Sequence, residues 1–192
     1  MVFNLGGGAY ELRSRGCRVY NLDIVRYRPI SVLGDVYCLP IKSGSLFAVV
    51  SEGVLEHIAD PEKALLEMER VVRPGGFIYV SLPFLIPFHS CPDDRQRWTH
   101  EGIARLYAGK TIEVVETGVR CGPTSSLLWV FQVWLSTLLS LGLRPLRDVI
   151  YVVVSLLTFP LKALDFLFCF NPLSTESASE VYILFRKPGG EA

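Results

Sequence analysis

Short apolar runs alternate with polar segments from Met1 to about Gly122, and then the alternation stops: Thr124 to Phe170 is almost continuously apolar. In the first region "VFNL", "RVYNLDI", "SVLGD", "LFAVVSEG" and "FIYVSLPF" are β-branched or aromatic runs of strand length. "TIEVVETG" and "EVYILFRK" predict two more strands. The stretch "ADPEKALLEMERVVRPGG" predicts a helix, with Asp60 as N-cap, Pro61 at the first helical position and Leu65, Met68 and Val72 on one face. Pro74, Gly75 and Gly76 read as its stop, and Thr99 reads as the cap of a second helix, "HEGIARLY". Strands alternating with helices predict an α/β fold, a doubly wound, mostly parallel sheet of seven strands.

Composition changes this picture at one place. A chain of 192 residues supports one domain, yet half of it is hydrophobic and its mean hydropathy is +0.35, so some apolar surface has a destination outside the core. That excess lies in the apolar tail. Nineteen basic and nineteen acidic residues cancel, leaving no field that would steer the protein to nucleic acid. The five cysteines are scattered, odd in number and free of metal-ligand spacing, which predicts free thiols and no zinc site. No basic, apolar leader precedes the first strand, so the expected setting is cytoplasmic.

Parallel sheets collect ligands at the carboxyl ends of their strands. Gly6, Gly7 and Gly8 follow the first predicted strand, where a chain without Cβ atoms can bend tightly and approach a ligand, and a helix is expected over residues 9–15. The dinucleotide fingerprint is incomplete, because Glu11 stands where its third glycine would be. Asp23 ends the second strand and Asp35 the third. A glycine bend followed by two strand-end carboxylates favours a nucleoside-type ligand, although a bare glycine turn and a capping aspartate are also common in plain loops.

The order of "NLGGGA", "YNLDI" and "GDVYCLPIKSGSLFAVVSEGVLEHIADPEKALLEMERVVRPGGFIYVSLPF" resembles the class I S-adenosylmethionine-dependent methyltransferases, in the branch that includes the ubiquinone and menaquinone biosynthetic enzymes. The resemblance covers about Val2 to Phe84. It implies S-adenosyl-L-methionine as cofactor, with Gly6, Gly7 and Gly8 around its methionine part and Asp23, with Ile24 beside it, at the ribose. Asp35 and Val36 would flank the adenine, while Ser51, Glu52 and Gly53 would face the sulfonium side. Glu56 and His57 match the family's "EH" pair, which shapes the loop at the acceptor side. Asn4 stands where the family usually carries an acidic residue, so its bond to the cofactor's amino group would be a neutral one. Relatives also carry a helix or more upstream of that strand; either the first residue is internal to a longer product or another element covers the pocket.

After the fifth strand, "PFLIPFHSCPDDRQRWTHEGIARLY" falls where a methyl acceptor would enter. Displacement at a sulfonium needs a positioned nucleophile, and a base where the acceptor is a hydroxyl. His89 is the candidate base, with His57, Asp93 and Arg97 beside the acceptor. Alternatively, His89 and Arg97 brace the loop against each other or against Asp93.

Residues 1–123 and 180–188 are thus expected to form the catalytic domain, and 124–171 an apolar helical insertion before the last strand. "TSSLLWVFQVWLSTLLSLGL" and "DVIYVVVSLLTFPLKALDFLFCF" each approach the ~20 residues that span hydrocarbon. Pro160, Lys162 and Asp165 interrupt the second, and crossing would place Arg144 and Arg147 on the far side, against the positive-inside tendency. The expectation over 124–170 is a surface-lying membrane dock or a lid for an apolar, lipid-linked acceptor; a buried hairpin or an oligomer interface is the alternative. Trp129, Trp134 and Tyr151 would mark an interfacial level. A non-catalytic, methyltransferase-like scaffold is the competing functional class.

Overall fold

The computed structural model describes residues 1–8, 12, 16–26, 32–89, 93–107, 111–168 and 170–189. The helix expected over 9–15 lies outside the described residues apart from Leu12. Seven strands form one sheet: β1 (Val2–Leu5), β2 (Val19–Asp23), β3 (Val32–Leu33), β4 (Leu46–Glu52), β5 (Val72–Pro83), β6 (Glu113–Cys121) and β7 (Glu180–Arg186). Their order is β3-β2-β1-β4-β5-β7-β6. β1 pairs in parallel with β2 and β4, β2 with β3, and β4 with β5. All four residues of β1 are buried, as expected of a central parallel strand covered on both faces.

β7 is the reversed strand. Gly75 N donates to Lys187 O at the start of β5, and Phe84 N donates to Ser179 O just past its end. On the other edge Ser179 N donates to Cys121 O, and the Tyr182 hydroxyl donates to Glu116. That bond to a carboxylate pushes the Tyr182 phenol up to about 12.

Two helices come from the predicted signals. α1 (Pro61–Val71) begins where Asp60 Oδ1 accepts from Lys63 N at 3.0 Å. It buries Ala64, Leu65, Met68 and Val71 in a core with Leu5, Leu22, Val49, Ile78 and Phe185. α2 (His100–Leu106) begins at Thr99, whose Oγ1 accepts from Gly102 N at 2.9 Å. In the apolar segment, α3 (Pro123–Leu139) and α4 (Arg144–Thr158) form a hairpin, continued by a 3-10 turn at Phe159–Leu164 and by α5 (Asp165–Phe168).

Two local expectations are corrected. Pro74-Gly75-Gly76 does not separate α1 from the next strand, because β5 starts at Val72, directly after the helix. The glycines instead form a bulge within the strand: the register jumps between Leu46↔Val72 and Ala48↔Phe77, and Gly75 takes φ +73°. A Cβ on Gly76 would come within 2.7 Å of the Phe47 carbonyl, so only glycine lets the two backbones approach there. The third strand is also short. Asp35 lies beyond it, in a turn where its Oδ1 accepts from Tyr37 N at 2.9 Å.

The chain divides into two compact units. The first comprises Met1–Leu82, Ser90–Thr117 and Tyr182–Ala192, and the second comprises Pro83–His89 and Gly118–Val181.

Candidate functional site

In the first unit the glycine bend is fixed by contacts on both sides. Gly6 N donates to Leu22 O at 2.8 Å, tying the bend to β2. Gly6 and Gly8 adopt φ of +65° and +55°, where side chains are strained, and a Cβ on Gly6 would lie 2.6 Å from Val54 Cγ2. The structure explains why glycine is needed at position 6. Val54 is the partner that sequence reasoning missed, since nothing in its own neighbourhood points back to the bend.

Asp23 sits at the end of β2 and holds the bend directly. Its Oδ2 accepts from Gly8 N and its Oδ1 from Val25 N, both at 2.9 Å. The side chain is largely buried, but a carboxylate has about four acceptor positions, so each oxygen keeps one for a hydroxyl. Ile24 follows it and is exposed. Asn4, buried in β1, donates to Asn21 Oδ1 at 3.0 Å. Thus the amide expected at the cofactor's amino group is engaged within the sheet. Asp35 caps its own turn, and Val36 packs against the core.

At the carboxyl ends of β4 and β5, Ser51 and Ser81 are fully buried, and neither Oγ has a hydrogen-bond partner among the described residues. A buried hydroxyl without a partner is costly, so its persistence needs an explanation. The register places Glu52 opposite Ser81, and Gly53 N donates to Ser81 O at 3.1 Å. Ser51 was expected here and Ser81 was not; a polar residue inside the apolar run "FIYVSLP" was the available signal. With the cradle at Gly6, the free acceptor positions of Asp23 and these hydroxyls, the first unit suits a ligand that carries vicinal hydroxyls and polar groups along the strand ends.

The residues expected at the acceptor side brace one another. His57 Nδ1 donates to Asp93 O, Arg95 N to Glu56 O at 2.9 Å, and Gln96 Nε2 to Ile58 O at 3.0 Å. Arg97 makes a two-pronged bond to Asp94, which raises its pKa above the usual arginine value, while Arg95 pairs with Asp93 at 2.7 Å. Arg97 was expected to brace against His89 or Asp93; in the structure it pairs with Asp94 instead. Sequence reasoning passed over Asp94 in favour of its neighbour because two adjacent aspartates offer the same chemistry.

The motif residues outside the site have a mechanical role. Arg70 donates to both Glu67 oxygens and to the carbonyls of Leu39 and Ile41, and Leu39 N donates to Glu67 Oε1 at 2.8 Å. This staples "LPI" to α1. The Arg70 hydrogen bond holds the Glu67 carboxyl below its ordinary range.

His89 belongs to the second unit, its ring 6.4 Å from that of Trp129. In the same unit a cleft of about 320 Å³ is lined by Phe88, Trp129, Val133, Ser136, Tyr151 and the Arg147–Asp148 ion pair. As expected, the second apolar stretch is interrupted: α4 ends at Thr158, and Asp165 opens α5 after the 3-10 turn. Asp165 also caps α3, accepting from Thr124 N at 2.7 Å and from both Ser125 N and Ser125 Oγ. Gly122 admits it, since a Cβ there would overlap the carboxylate at 2.4 Å.

Comparison with known proteins finds similarity over part of the chain. Residues 4–80 match the family described as a methyltransferase domain. A protein of Mycolicibacterium smegmatis named as a probable S-adenosylmethionine-dependent methyltransferase is 31% identical over 122 residues, covering 58% of this chain and 47% of that one. The chain spans less than half the length of each of the curated relatives it matches. Among solved structures, the cyclase SpnF aligns with a TM-score of 0.60 at 15% identity, over 98% of this chain and 74% of that one. The 1,6-didemethyltoxoflavin-N1-methyltransferase of Burkholderia thailandensis, solved with S-adenosylhomocysteine, aligns at 0.54 and 13% identity, over 97% and 70%. These structural likenesses speak for the fold alone. Residues 4–80 are thus similar to a methyltransferase domain, and 122 residues of the chain are similar to a protein named as a probable S-adenosylmethionine-dependent methyltransferase.

Proposed function

We propose that the protein transfers a methyl group from S-adenosylmethionine to an apolar or lipid-linked small molecule, such as a quinone precursor, at the cytoplasmic face of a membrane. The observation that carries the cofactor assignment is Asp23, held at a strand end by Gly8 and Val25 with one acceptor position left on each oxygen. Asp23 would take the ribose hydroxyls, Gly6 to Gly8 the methionine part, and Asp35 with Val36 the adenine. Ser51, Glu52, Gly53 and Ser81 would line the reacting end. When bound, S-adenosylmethionine supplies an electrophilic methyl group on a sulfonium.

This chain's own work is then to place the acceptor and to manage one proton. Alignment of the nucleophile in a water-poor site accounts for most of such an acceleration. O-methylation is the preferred reading, C-methylation the second. For a hydroxyl acceptor His89 would remove the proton, with Trp129 beside its ring. His57, Asp93 and Arg97 would shape the acceptor side. Support for the acceptor class comes from the second unit, whose cleft joins three aromatic walls to one ion pair, a lining suited to an apolar body with a polar end.

The experiment is transfer of labelled methyl from S-adenosylmethionine into a bacterial membrane-lipid extract. Label in organic-solvent-soluble product, lost in His89→Ala with cofactor binding retained, is the expected result. Label only in water-soluble acceptors would overturn the acceptor class.

A further inference from the structure

The hairpin of α3 and α4 is turned inside out relative to a helix pair in water. Along α3 the buried stripe repeats every fourth residue: Thr124, Leu128, Gln132 and Ser136, followed by Ser140. Four of these five are polar or small. The opposite face, Leu127, Val130, Phe131, Trp134 and Leu138, is exposed. α4 buries no residue, and its outward positions are Val149, Val152, Val153, Leu156 and Leu157. A helix folded against water does the reverse.

Most of the polar groups inside are bonded within the hairpin, the buried hydroxyls of Ser126 and Ser155 being the exceptions among the described residues. Gln132 Nε2 donates to Thr158 Oγ1 at 2.7 Å, and the hydroxyls of Ser136, Ser140 and Thr158 donate to carbonyls of their own helices. Small residues at the helix contact and hydroxyls bonded to their own backbone are what a hydrocarbon environment demands.

From this we infer that the hairpin is embedded in the hydrocarbon of a single membrane leaflet, entering and leaving from the same side. Lipid is favoured over a protein partner because the outward faces of two helices, plus the exposed Phe159, Leu161, Phe166 and Leu167 beyond them, all need covering. A second copy seated on one face would leave the others wet. One leaflet, not two, follows from the charges. The helical run Arg144–Phe168 is long and apolar enough to cross a membrane, but its uncharged part runs only from Val149 to Leu161, between Asp148 and Lys162. Those 13 residues rise about 20 Å, against roughly 30 Å of hydrocarbon. An upright hairpin would drag one set of charges into the apolar layer, whereas an oblique one leaves both at headgroup level. The inference rests on the membrane setting proposed above and refines it from contact to insertion.

The full chain is mixed with sealed phosphatidylcholine vesicles and floated at high salt. Flotation that survives salt is expected; its loss, or a vesicle-indifferent dimer, overturns the inference. In a variant whose only tryptophan is Trp134, phospholipids brominated on their acyl chains should quench the fluorescence, and unaltered emission contradicts insertion. A cysteine placed by Leu143→Cys in a cysteine-free background should react fully with an impermeant maleimide added outside, whereas protection until the vesicles are opened shows a crossing hairpin and overturns the single-leaflet geometry. S-adenosylhomocysteine binding, measured on each variant, confirms folding and separates failure here from failure of the methyltransferase reading.

Discussion

Leu65 and Leu156 are the same residue on two helices, and the structure treats them oppositely: Leu65 is 0% exposed in the first unit and Leu156 is 70% exposed in the second. The first unit seals most of its leucines and turns most charged residues outward, leaving few polar side chains inside, notably Asn4, Asn21, Asp23, Ser51, Glu56 and Ser81. The second encloses Gln132, Ser136 and Ser140 and displays valine, leucine and phenylalanine. The difference is the one expected of a chain shaped by two solvents, water for the first pattern and, on the inference drawn above, hydrocarbon for the second.

The largest effect that would sharpen this contrast is a pair of identical truncations. Leu65→Ala is expected to cost about 2–5 kcal/mol in urea unfolding of the protein, because it opens a sealed cavity. Leu156→Ala is expected to change the same midpoint by less than about 0.5 kcal/mol. The second variant should instead weaken partitioning into vesicles, by about 2 kcal/mol or roughly thirtyfold. Equal losses of stability in both would break the contrast.

A smaller effect tests the inverted interior. Gln132→Leu removes the bond to Thr158 and should lower the thermal stability of vesicle-bound helix, followed by circular dichroism, by about 1 kcal/mol. A gain in stability would mean that the hairpin tolerates an ordinary apolar seam.

The smallest lies in the staple of the first unit. Glu67 has its carboxyl depressed by Arg70, so its contribution is fully present above its unfolded value, 4.5, and disappears as pH falls through the lower folded value. Glu67→Gln should therefore lower the urea midpoint at pH 7 and converge with the parent as the medium becomes acid. Arg70 is 37% exposed and solvent screens the pair, so the difference should stay below about 1 kcal/mol.

Much of the first unit was legible because its signals are local. Asp60 and Thr99 cap the helices they were read to cap, Pro61 stands at the first helical position as expected, and the apolar runs became strands in the expected mostly parallel order. What was not legible depends on distant partners. The fate of Pro74-Gly75-Gly76 follows from the Phe47 backbone lying against Gly76, and the need for Gly6 follows from Val54. Asn21 as the partner of Asn4, and Asp94 as the partner of Arg97, are likewise three-dimensional facts. The apolar tail was visible as composition. Its inversion was not, because a four-residue stripe of Thr, Leu, Gln and Ser acquires meaning only once it is known to face inward.

The cofactor site is tested most directly by calorimetric titration of the full chain with S-adenosylhomocysteine, beside Asp23→Ala and a circular-dichroism check of folding. Binding in the micromolar range that falls at least about a hundredfold, some 2.7 kcal/mol, in the variant is the predicted result. A well-folded parent that takes up no ligand, or a variant that binds equally well, would contradict it.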